Sequence, residues 1–409
     1  MESQSLAVTT LIRLFLPFGL GYFVSYLFRT VNAVIAPDLI VDLGLTPADL
    51  GLLTSVYFLA FAAFQLPLGL LLDRFGPRRV ESALLLFAAA GALLFARAES
   101  LLGLIVGRSL IGLGVSACLM AAFKSFTAWL PSARLPFANG LQMVSGGLGA
   151  MVATTPVQAA LKVTDWRGVF TALAVLGCLA AVAVFLIVPE KPRQKGDETL
   201  AEQLRGLRFV LTSRAFRQIA PWAFTAQAAY LSIQGLWSGP WLRDVAGYER
   251  AEVAQMLWWI AVAMILGYFS FGSLAGRLAR RGVRTATVAA GGMMIFILDQ
   301  FLLVIFPGNA ALLWLGFGFF GTACILPYAV LSQAFPQQLG GRCNTALNLL
   351  VFVGAFTAQW LIGAIVGLWP TTATGGYHAD GYHSALLILI AAQLLAAGWF
   401  FVAGRKTLP

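Results

Sequence analysis

Charged side chains are scarce in this 409-residue chain, at 11%, and acids are scarcer than bases, with 17 Asp and Glu against 27 Lys and Arg. With 59% of residues hydrophobic, too little polar surface remains to cover a water-soluble globule. Strict alternation is missing as well. Apolar runs continue unbroken for about twenty residues, which excludes a transmembrane barrel and selects spanning helices. Cysteine is limited to Cys118, Cys178, Cys324 and Cys343, with no C-x-x-C pair, so neither a disulfide framework nor a metal site is expected and the four read as small apolar packers. The two histidines, His378 and His383, lie apart from any acidic cluster. There is no nucleophile beside a base, no phosphate-cradling glycine loop ahead of a soluble domain and no pair of catalytic carboxylates, so an enzyme is excluded and no cofactor is expected.

What is present is a repeat. The short charged stretch Gly69-Leu70-Leu71-Leu72-Asp73-Arg74-Phe75-Gly76-Pro77-Arg78-Arg79 lies between two long apolar runs, and Gly272-Ser273-Leu274-Ala275-Gly276-Arg277-Leu278-Ala279-Arg280-Arg281-Gly282 repeats the arrangement in the second half. Twelve spans follow from the apolar runs, six per half: 14–36, 50–72, 80–95, 102–130, 136–161 and 168–188, then 219–245, 253–278, 285–306, 311–335, 343–368 and 384–402. The first run is long and lacks a small-residue cleavage pattern, so it reads as a span rather than a signal peptide. The polar stretch 189–217 divides an N-terminal bundle (1–188) from a C-terminal bundle (218–409). Within it Thr199-Leu200-Ala201-Glu202 fits a capping box and Leu200, Leu204 and Leu207 recur at helical spacing, which predicts an amphipathic helix.

The net charge of +10 could suggest a nucleic-acid partner, but its distribution gives another answer. Arg74, Arg78, Arg79, Arg134, the bases from Lys191 to Arg217 and from Arg277 to Arg284, Arg342, Arg405 and Lys406 all fall on one side of the bilayer. Asp38, Asp42, Asp49, Asp165, Asp244 and Glu249 fall on the other. The positive-inside rule then places both termini in the cytoplasm, and no nucleic acid is needed.

An ionised side chain near the bilayer centre costs several kcal/mol, on the order of 3 by insertion scales, so Arg29 in the first span must face protein or a wet cavity. Tyr22, Ser25, Tyr26 and Arg29 share one helical face, with Asn32 or Ala33 continuing it. A fixed guanidinium beside phenols suits a carboxylate or phosphate; the alternative is an arginine locked to helix carbonyls. Further polar stripes run along the seventh span (Gln227, Tyr230, Gln234, Trp237 or Ser238, Trp241), the eleventh (Asn344, Asn348, Gln359), the fifth (Asn139, Gln142, Ser145) and the second (Tyr57, Gln65). Together they imply a shared wet interior, although any single amide can equally be interhelical glue. Lys124 can snorkel, close a gate or touch substrate, and Arg108 reads as structural or gating. Asp299 reads as the sole carboxylate well inside a span.

The doubled loop resembles the signature loop of the major facilitator superfamily, at the positions where that family repeats it. The resemblance implies an all-α membrane protein of twelve helices in two six-helix bundles, with substrate held midway and alternating access by rocking of the halves. It also implies a gate in which Asp73, Arg74, Arg78, Lys124, Arg277 and Arg281 take part. Within the superfamily, Gly21-Tyr22 through Arg29 to Ala36-Pro37-Asp38-Leu39, with Leu50 to Ser55, Lys124 to Pro131 and Asp165 to Phe170, is similar to the organophosphate:phosphate antiporters and anion:cation symporters, whose members use an arginine at the position of Arg29 for an anionic substrate. Two departures narrow this. The seventh span has no second arginine across Tyr230 to Trp237, so a singly charged acid fits better than a phosphate ester. The symporters' acids before that arginine and in the fourth helix are replaced by Phe28 and the apolar stretch Gly114 to Ala122. A Gly-Pro signature of drug-efflux antiporters is missing from the fifth span.

The expectation is thus a secondary transporter of the bacterial inner membrane for a small organic anion, with Arg29 binding the charge and Tyr22, Tyr26, Gln142, Tyr230, Gln234, Trp237, Tyr328 and Asn348 completing the site. The expected partners are that anion, a possible coupling proton and the lipid bilayer, with the chain acting as a monomer. The alternatives are a carrier of a larger amphipathic compound such as a drug or siderophore, and a transporter-like membrane sensor.

Overall fold

The computed structural model describes residues 2–130, 135–190, 200–335, 337–372 and 375–404. Among these the chain forms helices and no strand. In order they are α1 (Glu2–Thr30), α2 (Asn32–Leu43), α3 (Pro47–Phe75), α4 (Pro77–Arg97), α5 (Leu101–Gly114), α6 (Cys118–Trp129), α7 (Leu135–Val152), α8 (Thr155–Ala160) and α9 (Trp166–Ile187). The second half continues with α10 (Leu200–Thr212), α11 (Arg214–Ser232), α12 (Ser238–Asp244), α13 (Arg250–Ala279), α14 (Thr285–Ile305), α15 (Ala310–Phe320), α16 (Leu326–Ala334), α17 (Gln337–Val366) and α18 (Ala379–Gly404).

Each predicted span coincides with one of these helices or with a consecutive pair. Among the described residues nine helices are long and apolar enough to cross a bilayer, and the bent pair α1–α2 makes ten. The fifth and seventh spans are helical but lie outside that set; α11, which opens the seventh, begins with Arg214, Arg217 and Gln218 ahead of the span, and Gln227 and Gln234 interrupt its apolar run. Helix starts follow local chemistry. Ser100 accepts from Gly103 N at 3.3 Å, Asp165 from Gly168 N at 2.8 Å and Ser213 from Phe216 N at 3.3 Å, so one free amide of each first turn is satisfied by a cap side chain. The predicted linker helix is α10, with Leu207 and Val210 buried and Leu204 exposed. The Thr199 half of its capping box lies outside the described residues, as do Pro131, Arg134, Lys191, Arg405 and Lys406.

The chain divides into two compact units, Met1–Ile35 with Val56–Leu200, and Ala36–Ser55 with Ala201–Pro409. In the first, α4 packs against α5 and α9, and α1 against α7. Backbones meet directly where side chains are missing: a Cβ on Gly149 would lie 2.2 Å from the Phe23 carbonyl, and one on Gly112 would lie 2.3 Å from that of Tyr57. In the second, α11 packs against α17 and α13 against α15. The segment Ala36–Ser55 is held within this unit by the bidentate pair of Asp38 with Arg250, whose Nη1 donates to Oδ1 at 2.9 Å.

Several spans are interrupted. The first bends by 44° between α1 and α2 at Val31. The fourth breaks at residues 115–117, the seventh passes through a π-helical turn at Ile233–Trp237, and the tenth through a 3₁₀ turn at Gly321–Ile325. The fifth also breaks, at residues 153–154. Interrupted helices free carbonyls inside the membrane, where water cannot serve them, so each break must find a side-chain donor or line a cavity.

Candidate functional site

The first break is answered by Arg108. At the end of α1 the Phe28 and Arg29 carbonyls accept from Arg108 Nη1 at 2.7 Å and Nη2 at 3.4 Å. Arg108 is fully buried on α5 and lies 4.9 Å from the Tyr57 ring centroid. A cation at a helix C-terminus is favourable, and here it also fixes the backbone of the residue that matters most.

That residue is Arg29, itself buried. Its guanidinium carbon sits 4.5 Å from the ring centroid of Tyr26, 5.8 Å from Phe61 and 5.9 Å from Tyr57. Tyr22 packs edge-on against Tyr26 at 5.1 Å, so the predicted face of Tyr22, Tyr26 and Arg29 is real. Tyr57 is shared by two guanidiniums, and two cations held against one ring make a positive spot in an apolar surround. Such a spot favours an anion.

The fourth-span break is held by amides. Gln65 Nε2 donates to the Ser116 carbonyl at 3.2 Å, while Gln142 Nε2 donates to the carbonyls of Phe18 at 2.9 Å and Cys118 at 3.5 Å. Gln142 is fully buried in this role, tying α7 to α1 and α6.

The second unit has a neutral counterpart. At the π-helical turn, Gln359 Nε2 donates to the Ser232 carbonyl at 3.2 Å, and Trp237 Nε1 returns a bond to the Gln359 carbonyl at 2.9 Å. Gln234 Nε2 lies 3.1 Å from Met264 Sδ. Tyr230 is stacked on Phe317 at 5.5 Å and edge-on to Phe296 at 5.9 Å, beneath the 3₁₀ turn at Gly321. Tyr328 donates to Asn348 Oδ1 at 3.0 Å, and Ser332 to Asn344 Oδ1 at 3.0 Å, linking α16 to α17.

Of the expected gate residues, Asp73 and Lys124 form an ion pair between α3 and α6. Arg78 donates to the Val188 carbonyl at 3.4 Å and lies 4.9 Å from the Phe185 ring, and Arg74 lies over Phe75 at 5.3 Å. Arg277 and Arg281 are exposed.

The whole of this architecture has a family. Residues 18–359 match the Major Facilitator Superfamily. The chain belongs to that superfamily. It is 24% identical over 367 residues to a probable sulfoacetate transporter of Cupriavidus necator, covering 84% of this chain and 85% of the relative. It is 26% identical over 402 residues to the niacin transporter of Acinetobacter baylyi (95% and 82%), and 24% identical over 400 residues to the hexuronate transporter of Escherichia coli K12 (92% and 90%). Among solved structures it is similar to a bacterial homologue of the human lysosomal transporter Spinster, with a TM-score of 0.77 at 19% identity and 96% of each chain covered. This major facilitator is therefore a membrane transporter of the twelve-helix, two-bundle fold, and not an enzyme.

One carboxylate of this transporter escaped the sequence reading. Asp299 is buried on α14, but it is not alone: Glu81 on α4 is fully buried as well. The third span was expected to start at residue 80, which left Glu81 at its mouth beside Arg78 and Arg79. The helix starts at Pro77 instead, after Gly76 turns the chain at φ 80°, and Glu81 enters the second turn facing inward.

Proposed function

We propose that this major facilitator carries a small, singly charged organic acid across a bacterial inner membrane, with both termini in the cytoplasm and Arg29 as the receptor for the acid's charge. The carrying observation is the buried Arg29 guanidinium, ringed by Tyr26, Tyr57 and Phe61 and backed by Arg108. A carboxylate or sulfonate in line with Arg29 would take charge-assisted hydrogen bonds and neutralise a field that is otherwise unfavourable in hydrocarbon. Sulfoacetate, niacin and hexuronate, the compounds named for the three relatives, are all organic acids, which supports an acid as cargo; niacin and hexuronate carry one carboxylate, while sulfoacetate carries a carboxylate and a sulfonate. Tyr22, Tyr26, Gln234, Trp237, Tyr328 and Asn348 would shape the remainder of the site, while Gln142 and Tyr230 would brace it. Asp73, Arg74, Arg78, Lys124, Arg277 and Arg281 would serve the signature loops that change partners as the halves rock.

The test is thermal unfolding of the purified full chain with nicotinate, sulfoacetate, glucuronate and a cationic amphiphile, beside Arg29→Gln. An acid present at about a hundred times its Kd stabilises the folded state by about 2.7 kcal/mol. The expected result is a shift with one acid class in the wild type and none in the variant. Stabilisation of both proteins by the cationic amphiphile alone would overturn the proposal.

A further inference from the structure

Among the described residues two carboxylates are buried in membrane-spanning helices, Glu81 and Asp299. Glu81 is the deeper, with no exposed surface, and neither of its carboxyl oxygens has a hydrogen-bond partner. Its Oε1 rests against the backbone of α1 at Gly21, so closely that a Cβ there would come within 2.3 Å of it. Leu85 of its own helix and the Cys118 thiol at the start of α6 complete the surround. The bases nearest in sequence are committed elsewhere: Arg78 to the Val188 carbonyl and the Phe185 ring, Arg79 to Glu190 at 3.3 Å. Cys118 is the titratable neighbour from another helix.

An ionised carboxylate cannot be kept in such a place, because burial with no cation and only the weak thiol donor of Cys118 beside it removes nearly all that stabilises its charge. The group is therefore held as the neutral acid in this conformation. A carboxyl kept for packing alone would be better replaced by leucine, which fills the same space without a polar group. What distinguishes a carboxyl is that it can give up a proton.

We propose that Glu81 is the proton-binding site of this transporter, loaded in the conformation described and released to water when α1 and α6 move away from α4. The step breaks the carboxyl O–H bond, leaves the electron pair on the carboxylate and passes the proton to water as hydronium; loading is the reverse. Coupling to substrate runs through α1. Gly21, against which the carboxyl lies, is followed by Tyr22, which packs on Tyr26 beneath Arg29, and Arg29 is eight residues or about 12 Å further along the same helix. Motion of α1 on anion binding thus also alters the cover over Glu81, and one proton travels with the acid. This rests on the organic-acid reading for its cargo, but not for the proton site itself.

Two measurements on the full chain separate the claims. Infrared spectra at neutral pH should show a protonated-carboxyl stretch that disappears in Glu81→Gln and survives in Asp299→Asn; a band unchanged by Glu81→Gln overturns the proposal. In proteoliposomes, uptake of whichever of nicotinate, sulfoacetate or glucuronate stabilises the wild type should rise under an inside-alkaline gradient. In Glu81→Gln the ratio of uptake with and without the gradient should fall to one, and an unchanged ratio also overturns the proposal. Glu81→Leu replaces Glu81→Gln if the latter does not fold. If no acid binds, the organic-acid reading fails by itself and the infrared arm still decides the proton site.

Discussion

The two units of this transporter solve the same problem, polar groups inside a bilayer, with different chemistry. The first unit uses charge: Arg29 and Arg108 around Tyr57, the carboxyl of Glu81, and the Asp73–Lys124 pair at its signature loop. The second has its own charges, the Asp299 carboxyl on α14 and the Asp38–Arg250 pair, but no cation buried in a span among the described residues, and it serves its broken helices with dipoles: Gln359 and Trp237 across the π-helical turn, Tyr328 on Asn348, and the reciprocal amides of Gln300 and Gln393 at 3.0 and 3.2 Å. Charges are selective and costly; neutral amides satisfy a broken helix at lower risk. On the proposed organic-acid site, the first unit would read the cargo's charge and the second its shape.

The largest effect expected from breaking that contrast is at Arg29. Its replacement by glutamine removes the charge-assisted hydrogen bonds to an acid, each worth about 1.5–3 kcal/mol, so Kd should rise by at least tenfold and uptake should vanish at low substrate. Arg29→Lys keeps the charge without the planar fork and should fall between. Titration of the stabilising acid by tryptophan fluorescence checks this, and equal affinity in all three proteins would show that the charge of the first unit is structural.

Arg108 comes next, since its guanidinium serves two carbonyls at the α1–α2 break. Arg108→Gln should cost about 1–3 kcal/mol of stability by leaving at least one of them unserved, and should weaken acid binding because Arg29 loses its fixed backbone. Paired measurements of unfolding temperature and Kd separate the two consequences. A drop in stability with Kd unchanged would confine Arg108 to the fold.

How much of this was legible beforehand varies with the range of the interaction. The spans and both signature loops could be read because hydrocarbon forces long apolar helices and leaves charges only in their connections. Arg29 could be read because a cation inside an apolar run is costly wherever it points, and its spacing from Tyr22 and Tyr26 is local. Arg108 as its support could not, because nothing marks the break at Val31: the nearest proline, Pro37, acts on the carbonyl of Ala33. Glu81 was hidden by a helix that starts three residues earlier than its apolar run. The π-helical turn at Ile233–Trp237 leaves no pattern in the sequence.

A smaller effect separates the two signature loops. Asp73 in the first copy is matched by Gly276 in the second, so Lys124 has an acid to hold while Arg277 stays exposed. The Asp73–Lys124 pair is half exposed, so Asp73→Asn should cost less than about 1 kcal/mol of stability. Under the proposed gating role its effect should appear in the initial rate of uptake instead, because the pair ties α3 to α6 beside the loop. Arg277→Gln, at an exposed residue with no matching acid in its loop, should slow uptake less than Asp73→Asn. Equal slowing by both substitutions would mean that the two loops act alike despite the missing acid.

The smallest effect tests the neutral half directly. Tyr328→Phe removes one neutral hydrogen bond to Asn348, worth about 0.5–1.5 kcal/mol, so Kd for the stabilising acid should rise by no more than roughly tenfold. Asn348→Ala removes the partner and should match it, since both substitutions break the same bond, and the double variant should add little beyond either one. What should change is discrimination. On the proposed site, nicotinate, flat and aromatic, and glucuronate, hydroxylated and bulky, would present the same charge to Arg29 but different surfaces to Tyr328, so their ratio of affinities should move in Tyr328→Phe and stay constant in Arg29→Lys. If the ratio moves in Arg29→Lys instead, charge and shape are read by the same residue and the division between the two units does not hold.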